Sequence, residues 1–303
     1  MAGAGPDTGE SLDASLQEKV WMIATGNGTN RINLETTIFT PPTKGPYPLV
    51  ILNHGKDAGN PHSQRRDRFL VISREFIKRG YAVIIPMRKG FSKSSGHYVE
   101  TKCDMTSNGQ MQAEDLVGTL EYLRGQDWAD MNRIVIAGQS YGGLTAMAFG
   151  TRRFPGVKGL INFSGGLRMR DGCKWQESLV HAFSNYGAKT LVPSLWFYGQ
   201  NDSHFNPQLA TELHNAYVGA GGQAKLISYG NFKNDAHAMV GSSDGVSIWW
   251  PETEIFLNGI GLPTTQIALF DQGNQENHSN KIVAPTIVNI DKDIASPVQV
   301  AVH

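Results

Sequence analysis

Apolar residues in this chain gather into short continuous runs separated by amphipathic stretches, and strict alternation is confined to the beginning. Residues 19–25 and 31–40 read as strands, the second alternating as a half-exposed strand does. Pro41-Pro42 and Gly45-Pro46 make a turn, and 49–52 is a short buried strand that ends at Asn53-His54-Gly55. From there apolar strands at 82–86, 133–137, 157–163, 194–198 and 224–229 take turns with helical spacing at 69–79, 112–123, 144–153, 207–218 and 246–260. Continuous apolar strands separated by helices predict an α/β fold with a mostly parallel sheet covered on both faces, led by antiparallel strands. No internal repeat or heptad interrupts the pattern.

The ends break the pattern. Residues 1–17 read as a flexible leader and 18–262 as one α/β domain. Residues 263–303 are polar and punctuated by Pro285 and Pro297, with strand-like 281–283 and 286–290. They fit either an extension packed on the body or a partner-binding arm.

Composition narrows the classes further. Lys plus Arg equals Asp plus Glu at 27 each, so no global field favours nucleic acid or an anionic membrane. The basic run Gln64-Arg-Arg-Asp-Arg68 reads as the solvated start of a helix rather than a clamp for a substrate carboxylate. No apolar run reaches the roughly 20 residues that span a bilayer. The start lacks a basic n-region and an apolar h-region, yet a mature N-terminus left by signal removal would look the same. Both the cytoplasm and an exported compartment, periplasmic or secreted, fit. Cys103 and Cys173 are too few for a disulfide framework or a zinc site; they fit one bridge or two thiols.

The chemistry centres on Arg133-Ile-Val-Ile-Ala-Gly-Gln-Ser-Tyr-Gly-Gly-Leu144, a strand run into a G-x-S-x-G turn and then a helix. That setting presents Ser140 as a nucleophile: glycines give room for a strained corner, and the helix N-terminus favours a developing anion. The same string recurs at Gly241-Ser-Ser-Asp-Gly245, but no strand delivers Ser243, so that match carries no chemistry. A serine hydroxyl needs a base, and the base an orienting acid. Trp196-Phe-Tyr-Gly-Gln-Asn-Asp202 ends a strand on the acid, and Asn234-Asp-Ala-His237 brings the base just after the last strand. Asp235 is a rival acid, poorly placed two residues from the histidine. His181, His214, His278 and His303 lie on helices or in the tail; His204 is placed to line the pocket. The backbone N–H groups of Tyr141 and Lys56 are the expected oxyanion donors, with Asp57 second. His54 reads as a brace for its loop, with substrate contact as the alternative, and Asp57 and Arg88 are further candidate substrate contacts.

With Ser140, Asp202, His237 and Asn53-His-Gly55 placed, the chain resembles the α/β-hydrolase superfamily over residues 48–260. Within it, His-Gly after the third strand and Arg88-Lys-Gly-Phe-Ser92 after the fourth look most like the dienelactone-hydrolase-related branch. That branch carries cysteine in the elbow where this chain has Ser140, which implies general ester chemistry in place of a lactone substrate. Gly-Gln-Ser-Tyr-Gly-Gly is also similar to the elbow of prolyl-oligopeptidase-type serine peptidases, which usually carry a large N-terminal propeller; a lone catalytic domain of that lineage is the alternative. Between Gly166 and Pro193 only about one helix (176–186) fits, so the resemblance implies a minimal cap and an open site for a small or protruding acyl group. Cys103 and Cys173 both fall in loops at the strands' C-terminal edge, where a bridge would pin the rim. The expected function is hydrolysis of a small-molecule carboxylic ester through an acyl-enzyme, with no metal or organic cofactor. A non-catalytic protein of hydrolase fold that binds a ligand or partner is the competing class.

Overall fold

The computed structural model describes residues 11–26, 28, 31–169 and 173–268. The chain divides into a unit of Met1–Ile267 and a second of Ala268–His303, which beyond its first residue lies outside the described residues, as do the strand-like runs at 281–283 and 286–290. The first unit is built on one eight-stranded sheet in the order β1-β2-β4-β3-β5-β6-β7-β8. β1 (Lys19–Thr25), β2 (Ile32–Phe39) and β4 (Ala82–Pro86) meet in antiparallel pairs, β1 with β2 and β2 with β4. All further pairings are parallel, from β4 through β3 (Tyr47–Asn53), β5 (Ala129–Gln139), β6 (Val157–Phe163) and β7 (Ser194–Tyr198) to β8 (Ala224–Ser228).

Burial explains why the central strands read as continuous apolar runs. Every residue of β3, β4 and β7 is buried, because helices cover both faces of a parallel sheet. The helices are α1 (Leu70–Ile77), α2 (Met105–Leu123), α3 (Tyr141–Gly150), α4 (Trp175–Gly187), α5 (Pro207–Gly219) and α6 (Val246–Gly259). α3 is buried on all sides, which its run of Gly, Ala and large apolar residues permits. This is an α/β-hydrolase fold with a minimal cap: α4 is the helix between β6 and β7, and it packs against α2 and α5.

Two elements differ from the sequence pattern. α2 begins at Met105, ahead of the expected 112, because Asp104 caps it by accepting the Ser107 N–H at 3.0 Å. Its weak-propensity opening, with Asn108 and Gly109, is carried by tertiary packing. A Cβ on Gly109 would lie 2.3 Å from the Tyr186 hydroxyl, so the glycine lets α2 approach α4. The basic run is not the solvated helix start expected. Arg66 and Arg68 close on the buried Glu18 carboxylate, Arg66 at 2.7 Å, and Arg66 also donates to Thr37 Oγ1. A carboxylate supplied from far along the chain turned exposed charge into a buried network. Beyond α6, residues 263–267 run back along the end of α1: Tyr81 Oη donates to the Pro263 carbonyl and Ile267 N–H to that of Lys78.

Among the described residues no helix is long and apolar enough to cross a membrane.

Candidate active site

β5 ends at Gln139 and α3 starts at Tyr141, so Ser140 alone turns the corner, at φ 56° and ψ −122°. A non-glycine residue held there stores roughly 1–3 kcal/mol of strain. Backbone hydrogen bonds keep it in place: Ser140 N–H donates to the Phe163 carbonyl, and Ser140 O accepts from Gly143 and Gly166, all at 2.9–3.0 Å. The flanking glycines are steric requirements. A Cβ on Gly142 would fall 2.0 Å from Asn53 O, and one on Gly138 would fall 2.1 Å from Gly142 O.

Asp202 follows β7 and is 7% exposed. Its Oδ1 accepts the backbone N–H groups of His204 (2.8 Å) and Phe205 (3.0 Å), and its carboxylate meets His237 Nδ1 at 3.0 and 3.1 Å. Burial pushes its carboxyl up, but hydrogen bonding to His237, the imidazole's charge, the Phe205 N–H and the Ser164 hydroxyl outweigh that and hold it below the usual range. An ionised acceptor at Nδ1 fixes the proton there and leaves the Nε2 lone pair of His237 available. The rival acid does not serve the ring: Asp235 accepts the His237 backbone N–H at 2.9 Å and the Ser203 hydroxyl.

Ser140, Tyr141, Lys56, Asp57, His204 and His237 line one cavity of about 1080 Å³ at the C-terminal edge of the parallel strands. Among the described residues the Lys56 N–H has no acceptor, whereas the Asp57 N–H donates to Gln64 Oε1 at 3.0 Å. His54 is fully buried and does not line the cavity. The Arg88 N–H donates to its Nε2 at 3.1 Å, so Nδ1 carries the proton and donates to the Gly55 carbonyl at 2.6 Å. Burial and then the Arg88 charge hold its pKa well below the ordinary value, so a neutral imidazole braces the loop. The expected substrate contacts at His54 and Arg88 are therefore corrected. Arg88 is completely buried, donates Nε–H to Gln112 Oε1 at 2.9 Å, and lies 5.2 Å from the centre of the Tyr141 ring. Burial lowers its pKa to about 10, which still leaves it charged at neutral pH. Its planar cation packs against the Phe91 and Tyr141 rings and does not line the cavity.

Two partners, Gln139 and Ser203, escaped the sequence reading. Gln139 Nε2 donates to the His237 carbonyl at 3.2 Å, tying the elbow to the histidine loop; the variable position of G-x-S-x-G gave no hint of it. Ser203 donates to Asp235 Oδ2 at 2.6 Å and meets His204 Nδ1 at 2.9 Å. Nothing in the spacing signalled this second chain of hydrogen bonds.

Cys103 and Cys173 are joined by a disulfide, and both line the cavity. The bridge ties the loop before α2 to the loop before α4. It closes a sequence separation of 70, for which chain entropy predicts about 4 kcal/mol. The double variant Cys103→Ser/Cys173→Ser is expected to lower the urea midpoint accordingly; a loss below about 1 kcal/mol would contradict a structural role.

A second, more polar cavity of about 440 Å³ shares Gly55, Asp57, Ala58 and Gln139 with the first and is bounded by Asp67. Burial, aided by the Asp57 charge, pushes the Asp67 carboxyl up to about 6 against the Phe69 and Arg68 N–H donors. Because the folded pKa exceeds the unfolded value, no penalty exists below about pH 4. The penalty then grows as pH rises to about 6 and stays constant above. Asp67→Asn is thus expected to raise Tm at pH 7, with the gain vanishing at pH 3.5. An equal gain at both pH values would show that the charge is not the cause.

Fold and elbow together define a serine hydrolase of the α/β-hydrolase superfamily. Residues 28–203, more than half of the chain, match the X-Pro dipeptidyl-peptidase (S15) family, and the chain belongs to that family. It is 29% identical over 115 residues to the quorum-quenching protein AidA of Acinetobacter baumannii, a match covering 38% of this chain and 34% of AidA. The chain thus spans about a third of that relative's length. Among solved structures, the putative dienelactone hydrolase of Klebsiella pneumoniae superposes with a TM-score of 0.56 at 16% identity, covering 78% of this chain and 95% of that one. An acylaminoacyl peptidase of Pyrococcus horikoshii superposes with a TM-score of 0.58 at 16% identity, covering 80% and 41%. At such identities these neighbours speak for the fold alone.

Proposed function

We propose that this hydrolase cleaves carboxylic esters of small or protruding acyl groups by a Ser140–His237–Asp202 relay. Ser140 Oγ attacks the ester carbonyl while His237 Nε2 takes its proton, and an acyl-enzyme forms as the alcohol leaves with that proton. Water, deprotonated by the same imidazole, then releases the acid. Asp202 holds the Nδ1–H tautomer and stabilises the imidazolium. The N–H groups of Tyr141 and Lys56 bind the oxyanion, each worth about 3 kcal/mol. One observation carries the reading: His237 Nδ1 sits 3.0 Å from a buried, ionised Asp202 while His237 and the strained Ser140 line the same cavity.

Ester rather than peptide substrates are favoured by the thin cover over that cavity, one helix packed back on the body. Peptide cleavage is the second reading, favoured by the family's own description as X-Pro dipeptidyl-peptidases. Parallel assays with p-nitrophenyl acetate and butyrate and with glycyl-prolyl p-nitroanilide separate the two. Esters are expected to turn over with kcat/KM at least a hundredfold above the anilide. A preference for the anilide would replace the esterase reading with the peptidase one, and no turnover of either would leave a binding protein.

A further inference from the structure

His204 lies in no step of that mechanism, yet its ring stacks on His237 with centroids 4.2 Å apart and planes 20° from parallel. Its hydrogen bonding fixes its tautomer. The Ser203 hydroxyl proton is committed to Asp235 Oδ2, a carboxylate that only accepts, so Ser203 Oγ must accept the His204 Nδ1–H. The Nε2 lone pair of His204 is therefore free, and the residue is exposed at the cavity mouth. One ligand atom each from Asp202, His204 and His237 lies within 4.8 Å of the other two. Two imidazoles and a carboxylate form a borderline N2O donor set that suits Zn²⁺ and leaves its fourth position to water.

We propose that Asp202, His204 and His237 form an inhibitory transition-metal site through which Zn²⁺ reversibly switches the hydrolase off. Asp202 Oδ2 and His237 Nδ1, which stand 3.0 Å apart, would hold the metal, and the exposed His204 ring, whose lone pair lies in a plane now stacked on His237, turns out of that stack to complete the set. The proton displaced from Nδ1 moves to Nε2 of the same ring, so His237 no longer has a lone pair to accept the serine proton. Hard cations such as Mg²⁺, which require oxygen ligands, do not compete. The inhibition rests on the serine-hydrolase reading above, whereas the metal site itself does not.

The test uses the untagged protein with ZnCl2, followed by calorimetric titration and by p-nitrophenyl butyrate hydrolysis. His204→Phe keeps a stacked ring but removes a ligand. Wild type is expected to bind Zn²⁺ and lose activity with it, to recover on chelation, and to ignore MgCl2. His204→Phe is expected to bind Zn²⁺ and to require it for half-inhibition at concentrations at least about tenfold higher. Binding and inhibition unchanged in His204→Phe, or no heat of Zn²⁺ binding in wild type, would overturn the site. Zinc binding that weakens in His204→Phe in a protein without any hydrolase activity would support the site while removing the esterase reading.

Discussion

Ser140→Ala is expected to lower kcat/KM for p-nitrophenyl butyrate by about 10⁴- to 10⁶-fold with little change in Tm. The large effect follows from the proposed chemistry: among the described residues Ser140 is the cavity-lining hydroxyl on a strained corner, and His237, which meets the buried Asp202 carboxylate, lines the same cavity. The small stability effect follows from the backbone, because alanine at φ 56° carries the same strain as serine. Ser140→Gly sharpens the contrast. It should be equally inactive yet more stable than wild type, since glycine occupies this conformation without strain. Residual activity within tenfold of wild type in Ser140→Ala would place the chemistry elsewhere. A gain in Tm for Ser140→Gly reports the stored strain independently of any substrate.

Gly142→Ala should be among the most damaging single methyls in the described part of the molecule. The added carbon falls 2.0 Å from Asn53 O, 2.4 Å from Asn53 C and 2.7 Å from His54 O, all backbone atoms at the end of β3. A flexible side chain could move aside; these cannot without parting the start of α3 from the end of β3, two packed elements of the core. The expected cost is about 3 kcal/mol or more, read as a lower urea midpoint. Whatever folds should also lose activity, because Asn53 and His54 hold the loop that carries Lys56. Gly219→Ala is the internal control: it ends α5 with nothing within 4 Å of an added Cβ, so it should be neutral or mildly stabilising. Similar losses for both variants would mean that the crowding at the elbow is relieved by an unforeseen shift.

Much of this was legible in the sequence because local pattern and global topology agree here. Strands buried on both faces must read as unbroken apolar runs, and a parallel sheet must separate them by helices, so the buried central strands were visible, while β1, β2 and β8 showed as β-like runs at the two edges. The chain order of serine, acid and histidine then located three loops at one sheet edge without any coordinates. What stayed hidden depends on which distant groups meet. Arg66 and Arg68 looked solvated because their partner, Glu18, lies far back along the chain. Arg88 looked like a substrate contact because a charged residue after a strand usually reaches the surface; here Gln112 and aromatic rings hold it inside. The opening turns of α2 are unreadable from propensity, since Gly109 is favoured only by the approach of α4. The Asp235–Ser203–His204 chain joins two loops, and no spacing within either loop betrays it.

The central claim is that Ser140 is activated by His237, and covalent labelling tests it most directly. A fluorophosphonate probe followed by peptide mass spectrometry is expected to find the phosphonyl group on Ser140, with labelling slowed at least about a hundredfold in His237→Ala. A label on Ser243 or another residue, or an unchanged rate in His237→Ala, would contradict the account.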